Sequence, residues 1–238
     1  MKFRALIGSV FSLLFFLTGI FLEIAISASV LWGELEARSS MSSSINSGLR
    51  LTCPHLLSFG ETGVVSALVT NTLDQAIQPM VTAQISRNNG VQQMSETPTI
   101  AAHTSKTIQW KVDAADSLYG RLILVSILQG KYEDLPARQG SCGIIFLNLL
   151  GMNGRETIIL LSCLSVGLLI LGVVIWLRGR LPLNPSAENI ARSFTSLGIL
   201  ATAGLFAALL RWWGLIILLD AVALILLIVI CTDVLFNP

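Results

Sequence analysis

The four cysteines and two histidines of this 238-residue sequence are the side chains best suited to metal binding or nucleophilic chemistry. Cys53 and His55 stand two positions apart, whereas His103 and Cys142 lie far from them and from each other. A blue-copper site needs two histidines, a cysteine and usually a weak axial methionine, and zinc sites use paired two-ligand motifs. Cys142 is followed by Gly-Ile-Ile-Phe, without a nearby histidine or methionine. We therefore expect no metal site.

Residue patterns for catalysis do not stand out either. The sequence lacks Gly-x-Ser-x-Gly, a phosphate-binding glycine loop, His-Glu-x-x-His and a dinucleotide-binding glycine turn. The acidic pairs Asp113/Asp116 and Glu133/Asp134 stand among turn residues, where a solvated turn position is the simpler interpretation. We expect a non-enzymatic protein with no catalytic residues and no cofactor.

Two acidic residues in apolar surroundings are the strongest functional lead. Glu23 and Asp220 each lie within a long apolar stretch, near opposite ends of the chain. A charge at the bilayer centre costs at least ~2.5–3.5 kcal/mol on insertion scales, so such groups face a partner or water. Arg155 and Arg211 are candidate ion-pair partners. The two acids therefore fix helix packing, contact a partner subunit, or line a path for ions or protons.

The composition indicates the elements that must position these acids. Hydrophobic residues make up 53% of the chain and charged residues 12%, with a mean hydropathy of +0.76. Soluble domains average about 25% charged residues, and disordered chains are far less apolar. A net charge of +1 gives no concentrated basic face for nucleic acid. A spanning helix needs about 20 apolar residues, and we predict four transmembrane helices at 5–32, 157–177, 194–210 and 213–232.

The first apolar stretch has a second interpretation, as a secretory signal peptide. Lys2 and Arg4 precede it, and small residues around Ser27 resemble a cleavage site. The apolar run is longer than the ~7–15 residues of a signal-peptide core. A retained helix is therefore favoured.

Basic residues in the short loops predict the orientation in the membrane. Loop 178–193 and the N-terminus together hold five of them, namely Lys2, Arg4, Arg178, Arg180 and Arg192. Because basic loops stay on the cytoplasmic side, both termini and this loop are expected to be cytoplasmic. The protein would then be a multi-pass protein of the cell (inner or plasma) membrane, with residues 33–155 outside.

Helices 3 and 4 are predicted to form a tight hairpin, because Arg211 and Trp212 alone separate their apolar stretches. Trp212 and Trp213 would lie at the outer membrane interface, a depth that indole rings favour. Small residues at 203–208 give helix 3 a face that permits close helix approach.

The segment between helices 1 and 2 has the composition of a linker followed by a β domain. Residues 33–48 end in a Ser-rich run and are predicted to be a flexible linker. Residues 49–150 contain short runs of strand-forming residues separated by turn residues. We predict strands at 49–57, 62–70, 77–87, 97–101, 105–112, 119–129 and 139–147. Seven short strands are typical of an antiparallel β-sandwich, so the expected fold class is an α+β membrane protein.

Motifs in this segment resemble the immunoglobulin-like domains of bacterial cell-surface proteins. They are the strand end Leu68-Val69-Thr70-Asn71, the turn segment 100–106 and the alternating strand Ile108-x-Trp110-x-Val112. The resemblance covers residues 49–147, and members often carry glycine where His103 stands. It implies a role in adhesion, spacing or protein contact, with no catalytic residues.

Cys53 and Cys142 fall in the first and last predicted strands of the outer domain. A lone pair of cysteines outside the cytoplasm is most simply a disulfide, although two buried free thiols are the alternative. The bond would close a loop of about 90 residues, worth roughly 4–5 kcal/mol in the chain-entropy view. Cys163 and Cys231 fall in helices 2 and 4, where we expect them to act as small apolar packing residues.

These observations predict an accessory, anchoring or assembly subunit of a larger membrane protein complex, with an immunoglobulin-like domain for protein contact. The expected partners are other membrane-protein subunits and the lipid bilayer, and a homo-oligomer is also compatible. The alternative is a small channel or transporter component that uses Glu23 and Asp220. Transporters normally show more spans, internal repeats or broken helices.

Overall fold

A computed structural model of the chain divides into two units, a helical unit (1–31 and 158–238) and a sandwich unit (32–157). Its backbone is described for residues 2–41, 48–88, 90–147, 149, 151–179 and 185–236. Among these, the side chains of 2–9, 41, 179, 185–191 and 230–236 are not described. Arg180 and the side chains of Lys2, Arg4 and Cys231 therefore lie outside the described residues.

The described backbone contains four α-helices: α1 (Lys2–Met41), α2 (Gly154–Gly179), α3 (Pro185–Leu209) and α4 (Trp213–Phe236). Three stretches are long and apolar enough to cross a membrane, namely Val10–Ser40, Gly154–Arg178 and Arg192–Leu209. The described part of α4 is a shorter apolar stretch, Trp213–Val229. The described residues therefore contain three candidate spans by length and composition, and a fourth span stays a prediction.

Helix α1 extends well beyond the predicted membrane segment. Its 40 residues correspond to about 60 Å at 1.5 Å per residue, about twice the thickness of a hydrocarbon core. The linker predicted over 33–48 is helical as far as Met41, and 42–47 lie outside the described residues. The helix is held here by tertiary packing, because Ala37 is buried against Leu122 and Leu124 of the sandwich.

Helix α3 also begins earlier than predicted. The loop predicted over 178–193 is helical from Pro185 onwards, and residues 180–184 lie outside the described residues. Proline is favoured at the first helical position, where its missing N–H costs no hydrogen bond. The polar residues after Pro185 carried no apolar signal, so the sequence pattern placed them in a loop.

Small residues bring α1 and α2 together. A Cβ atom on Gly19 would lie 2.9 Å from the Ser165 carbonyl oxygen, and one on Gly172 would lie 2.9 Å from the Phe16 backbone nitrogen. The Ser12 hydroxyl donates a 2.7 Å hydrogen bond to the Gly172 carbonyl oxygen. The buried apolar core of this unit draws on all four helices through Phe16, Ile20, Leu169, Leu197 and Ala223.

Helices α3 and α4 are joined by a tight turn. Arg211 has a φ of 57°, in the left-handed region, and the Trp212 N–H donates to the Ala207 carbonyl oxygen. The small residues of α3 are split between its faces: Gly204 and Ala208 are buried, while Ala203 is exposed. Only part of the small-residue face predicted at 203–208 is therefore buried against neighbouring helices.

Eight strands form the two sheets of the sandwich unit: β1 (Arg50–Thr52), β2 (Leu56–Leu57), β3 (Gly63–Thr70), β4 (Val81–Arg87), β5 (Gly90–Glu96), β6 (Ser105–Val112), β7 (Leu122–Gln129) and β8 (Arg138–Phe146). The sheet orders are β1-β3-β6 and β2-β8-β7-β4-β5. The pairing is antiparallel except between β2 and β8. This order agrees with an immunoglobulin-like sandwich, in which strands A, B and E face strands C, F and G.

The sandwich core follows from alternation along the strands. Side chains of β3 and β6 point alternately inwards and outwards, so Val65, Ala67 and Trp110 are buried. They meet the more continuously apolar strand β7, whose Ile123 and Ile127 are also in the core. Burial of these residues against each other fixes the register of both sheets.

Two predicted strands differ from the structure. Strand 49–57 is divided at Pro54, so that β1 joins one sheet and β2 the other. Proline fixes φ and donates no ladder hydrogen bond, which explains the break. Residues 97–101 form no strand, and Ile100 makes a single isolated bridge to Ile77. The strand in this part of the chain is β5, which ends at Glu96, just before the predicted range.

The turn that holds His103 keeps the conformation expected for glycine. His103 has a φ of 55°, in the left-handed region that favours glycine. Its Nε2 atom lies 2.8 Å from Oδ1 of Asp74. A local side-chain contact therefore accompanies the backbone conformation at this position.

Glycines and one carboxylate join the ends of the sandwich unit to its helical segments. Gly33 of α1 lies against Gly143 of β8, where a Cβ atom on Gly143 would clash with the Gly33 carbonyl oxygen. At the start of α2, Glu61 Oε2 accepts hydrogen bonds from the N–H groups of Gly154 (2.7 Å) and Ser58 (3.0 Å). Glu61 therefore caps the first turn of α2, where a negative charge is favourable.

We expect Glu61→Ala to lower the free energy of unfolding of the sandwich unit by about 1–2 kcal/mol, the usual cost of losing a helix cap. Two backbone N–H groups lose their acceptor in this variant. Chemical denaturation of the detergent-solubilised protein measures the change. Glu96→Ala, at an exposed strand end, is the matched control and should leave the unfolding midpoint near that of the wild type.

We expect Gly172→Ala to destabilise the helical unit by about 1–3 kcal/mol, because the added methyl group meets the α1 backbone. Gly167→Ala, on the same helix, is the control. No atom lies within 4 Å of its added Cβ, and alanine is the better helix former. Thermal unfolding in detergent should separate the two variants. Equal behaviour of both variants would contradict the close α1–α2 contact.

Candidate functional site

Glu23 places a carboxyl group in the interior of the helical unit. The residue is 1% exposed, and its Oε1 atom accepts a 3.1 Å hydrogen bond from the Thr202 hydroxyl of α3. Its Oε2 atom is buried and has no hydrogen-bond partner among the described residues. Buried polar atoms are nearly always paired, and this oxygen shares its unpaired state with Oγ of Ser162 among the described residues of the unit.

Asp220 of α4 contacts α1 at Ser27, one helical turn after Glu23. The Ser27 hydroxyl donates a 2.8 Å hydrogen bond to Oδ2 of Asp220, which is half-buried on α4. The other carboxylate oxygen, Oδ1, occupies the space that a side chain on Gly204 would need, 2.8 Å from its Cβ position. The glycine on α3 therefore makes room for the carboxylate from α4.

These contacts form one acidic cluster, defined as Glu23, Ser27, Thr202 and Asp220. Glu23 and Ser27 are four residues apart and share a face of α1, so the contacts to α3 and α4 start one helical turn apart on that face. The cluster offers four carboxylate and two hydroxyl oxygens, and neither imidazole nor thiol. Such oxygens bind hard cations and are not the donor set of a transition-metal site.

The sequence singled out both acids, and the structure places each beside a hydroxyl side chain of another helix. It missed Ser27 and Thr202, although Ser27 stands four residues after Glu23 and Thr202 is a hydroxyl in an apolar helix. The hydrogen bonds to the two carboxylates come from these hydroxyls, whereas Arg155 and Arg211 were the expected partners.

The other predicted site residues fall into simpler settings. Cys53 and Cys142 form a disulfide between buried positions 89 residues apart. Trp212 and Trp213, beside Arg211 in the α3–α4 turn, are largely exposed. Cys163 is an exposed free thiol of α2. The sequence pattern predicts a small packing residue of the helical unit at this position, and in the structure it is not one.

The acidic pairs considered for catalysis serve local structure. Asp113 and Asp116 form a capping box on the short 3-10 helix Ala114–Asp116. Glu133 accepts a hydrogen bond from the Gln75 side chain. Within the described residues, no group of three or more His, Cys, Asp or Glu side chains is arranged to hold a metal ion.

The β5 edge, defined as Gly90–Glu96, is the second candidate site. Among the strands of the described residues, β5 lies at the end of its sheet and pairs with β4 alone. Its side chains are exposed or half-buried, and residues 91–95 contain neither a charge nor a proline. The other long edge strand, β6, carries Lys106 and Lys111, the kind of residue that protects an edge from pairing.

We expect Thr202→Val to destabilise the helical unit by about 1 kcal/mol, a typical value for a hydrogen bond between membrane helices. The variant leaves the Glu23 carboxyl group without its donor. Thr202→Ser keeps the hydroxyl and is the matched control, so its unfolding midpoint should stay closer to that of the wild type. Thermal unfolding in detergent compares the three proteins, and an equal loss in both variants would contradict the role of the hydroxyl.

Comparison with known proteins finds similarity to solved structures and to no sequence family. No known protein family and no curated protein matches the sequence. A CARDB domain from Pyrococcus furiosus is 7% identical with a TM-score of 0.33, covering 45% of this chain and all of that one. A Bacteroides uniformis β-glucuronidase (15% identity, TM-score 0.31) covers 42% of this chain. A Listeria innocua β-glucosidase (16% identity, TM-score 0.32) covers 46%. The chain spans 13% and 17% of these two enzymes, and similarity at these TM-scores carries no argument about function.

Proposed function

We propose that this protein is a non-enzymatic accessory or assembly subunit of a membrane complex, and that its sandwich unit binds a partner protein through the β5 edge. The observation that carries the proposal is the exposed edge strand β5, whose residues 91–95 carry no charge. Its partner would be another membrane protein with an extended segment on the same side of the membrane.

An open strand edge presents a row of unpaired N–H and C=O groups that can accept a further strand. The β5 edge is seven residues long, whereas β1 and β2 offer edges of three and two residues. Main-chain hydrogen bonds would provide the affinity. The side chains of Val91, Gln93 and Ser95, all exposed on alternate positions, would provide specificity.

The contrast with β6 supports an edge that is kept open for binding. Both strands are long edges of the same sandwich. Lysines on β6 hinder a second chain, because pairing would bury their charge beside the new strand. An unprotected edge exposes a protein to aggregation, so we infer that a bound partner covers β5.

The disulfide and the apolar helices support an extracytoplasmic position for the sandwich unit. Disulfides persist in oxidising compartments, and the Cys53–Cys142 bond lies in this unit. In the proposed topology both termini are cytoplasmic, residues 33–155 are outside, and α4 completes an even number of spans. The basic residues of the predicted cytoplasmic loop support this orientation.

The double variant Val91→Lys/Gln93→Lys tests the proposal. It places two charges on the β5 edge at exposed positions, so strand addition should be blocked while the sandwich still folds. We expect proteins that co-purify from the native membrane in mild detergent at fixed stoichiometry to be lost. Quantitative mass spectrometry of the purified wild type and variant measures the loss.

The matched control is Thr107→Lys/Gln109→Lys, which adds the same charges at exposed positions of the β6 edge. Its partners should remain at wild-type stoichiometry. If both double variants keep the same partners, or if the wild-type protein purifies alone, the proposed function is wrong.

A further inference from the structure

The six aromatic residues of the sandwich unit divide into two sets. Three lie in its core or pack against it, namely Trp110, Tyr132 and Phe146. The other three are exposed, and we call them the aromatic rim: Trp32 (54% exposed), Phe59 (65%) and Tyr119 (91%). Aromatic rings stabilise a fold by being buried, so the core of this unit does not account for the rim.

Two rim residues lie on neighbouring turns at one end of the sandwich. Phe59 is in the turn between β2 and β3, and its ring packs edge-on against Phe146 of β8 with a centroid distance of 4.9 Å. Tyr119 is in the turn before β7, where the Arg121 carbonyl oxygen accepts a 2.8 Å hydrogen bond from the Phe146 N–H. Both turns are therefore fixed to the last residue of β8.

The two apolar helices that flank the unit join it at this same end. Trp32 belongs to α1 and precedes Gly33, whose carbonyl oxygen lies against Gly143 of β8. Glu61, two residues after Phe59, accepts a hydrogen bond from the first N–H group of α2. The rim therefore lies where the chain enters and leaves the sandwich.

The length of α2 indicates where a membrane surface would lie. Its candidate span, Gly154–Arg178, has 25 residues, which correspond to about 37 Å at 1.5 Å per residue. A hydrocarbon core is about 30 Å thick, so the ends of this helix reach the headgroup regions. The turn that holds Phe59 is hydrogen-bonded to the first turn of α2 through Glu61. A membrane that α2 spans is therefore next to the rim.

Tyr119 occupies a turn position that does not favour tyrosine. The Arg121 N–H donates a 3.0 Å hydrogen bond to the Leu118 carbonyl oxygen, and the φ angles of Tyr119 and Gly120 are 51° and 64°. Two positive φ angles in succession are typical of a type I′ turn, which prefers Asn-Gly. A bulky residue with positive φ is conformationally unfavourable, and a side chain that is 91% exposed gains little packing. Such backbone strain is typical of sites with a function.

We propose that the aromatic rim binds the surface of the phospholipid bilayer that α1 and α2 enter, with the rings of Phe59 and Tyr119 among the lipid headgroups. Aromatic rings with a polar edge favour this depth, because the ring is apolar and its N–H or O–H group stays hydrated. The contact would fix the orientation of the sandwich unit on the membrane. It goes beyond the proposed partner contact and uses none of the residues of the β5 edge.

Met80 provides an internal reference at the opposite end of the sandwich. Its side chain is 55% exposed, and its carbonyl oxygen accepts a 2.8 Å hydrogen bond from the Gly130 N–H, just after β7 ends. Strand β7 has eight residues, Leu122–Gln129, so its ends are about 23 Å apart at 3.3 Å per residue. An exposed apolar side chain is therefore present at each end, and the proposal assigns lipid contact to one end.

The experiment uses the full chain in phosphatidylcholine nanodiscs that contain a small share of a phospholipid with a photoactivatable group near its headgroup. After illumination, mass spectrometry identifies the residues that carry lipid. We expect lipid on the turns 58–61 and 118–121 and none at Met80. A neutral phospholipid is chosen because the proposed contact is made by aromatic rings.

Tyr119→Asn separates lipid contact from folding. Asparagine is the preferred residue at this turn position, so Tm should stay equal or rise while lipid labelling of the turn 118–121 is lost. Phe59→Ser should remove labelling of the turn 58–61. Since Phe59 also contacts Phe146, Tyr119→Asn decides the test if Phe59→Ser does not fold. Met80→Asn is the matched control and should keep the labelling of both turns.

Two results would overturn the proposal. One is labelling of the two turns at the same low level as Met80, since the rim would then not reach lipid. The other is a lower Tm of Tyr119→Asn with unchanged labelling, since the tyrosine would then serve the fold. The β5 double variant should keep the lipid contact, because its substitutions lie outside the rim. Failure of the partner experiment and failure of this one are thus distinguishable.

Discussion

The buried carboxyl group of Glu23 constrains the sequence of three helices. A carboxyl group inside an apolar unit needs partners that the backbone of its own helix does not provide, because helical N–H groups are already paired. Thr202 of α3 provides one, and Ser27 repeats the arrangement for Asp220 one turn along α1. Gly204 follows from the same requirement, since a side chain there would displace the second carboxylate. Four positions on three helices are therefore linked by two hydrogen bonds that start one turn apart on α1.

The sandwich unit depends on a different constraint, the approach of backbones to one another. Gly143 lets the end of α1 at Gly33 lie on β8, and the Glu61 carboxylate fixes the first turn of α2. The disulfide between Cys53 and Cys142 then joins the segment before β2 to β8. Both chain ends of the unit are thus tied to its sheets by local contacts.

Much of the architecture could be predicted from apolar patterns, and the differences have physical causes. The helices and the strands β3, β6 and β7 carry strong periodic or continuous apolar signals. The C-terminal part of α1 does not, because its helical state depends on the contact of Ala37 with Leu122, which is distant in sequence. The acids of the cluster were recognisable as charges in apolar stretches. Thr202 was not, since a hydroxyl in an apolar helix can also bond its own backbone, as Thr202 does to Gly198.

Strand β5 escaped prediction for the reason that makes it a candidate for binding. A strand is recognised in a sequence when one of its faces is buried, since burial imposes alternation of apolar and polar residues. Gln92 and Gln93 sit side by side in β5, and most of the strand is exposed. Its pairing with β4 holds through the backbone and through contacts such as the 3.1 Å hydrogen bond between the Thr82 and Ser95 hydroxyls. A strand whose side chains, apart from Met94, lie outside the core retains one open row of backbone groups, and in the proposed complex a partner strand would satisfy that row without any change in the core.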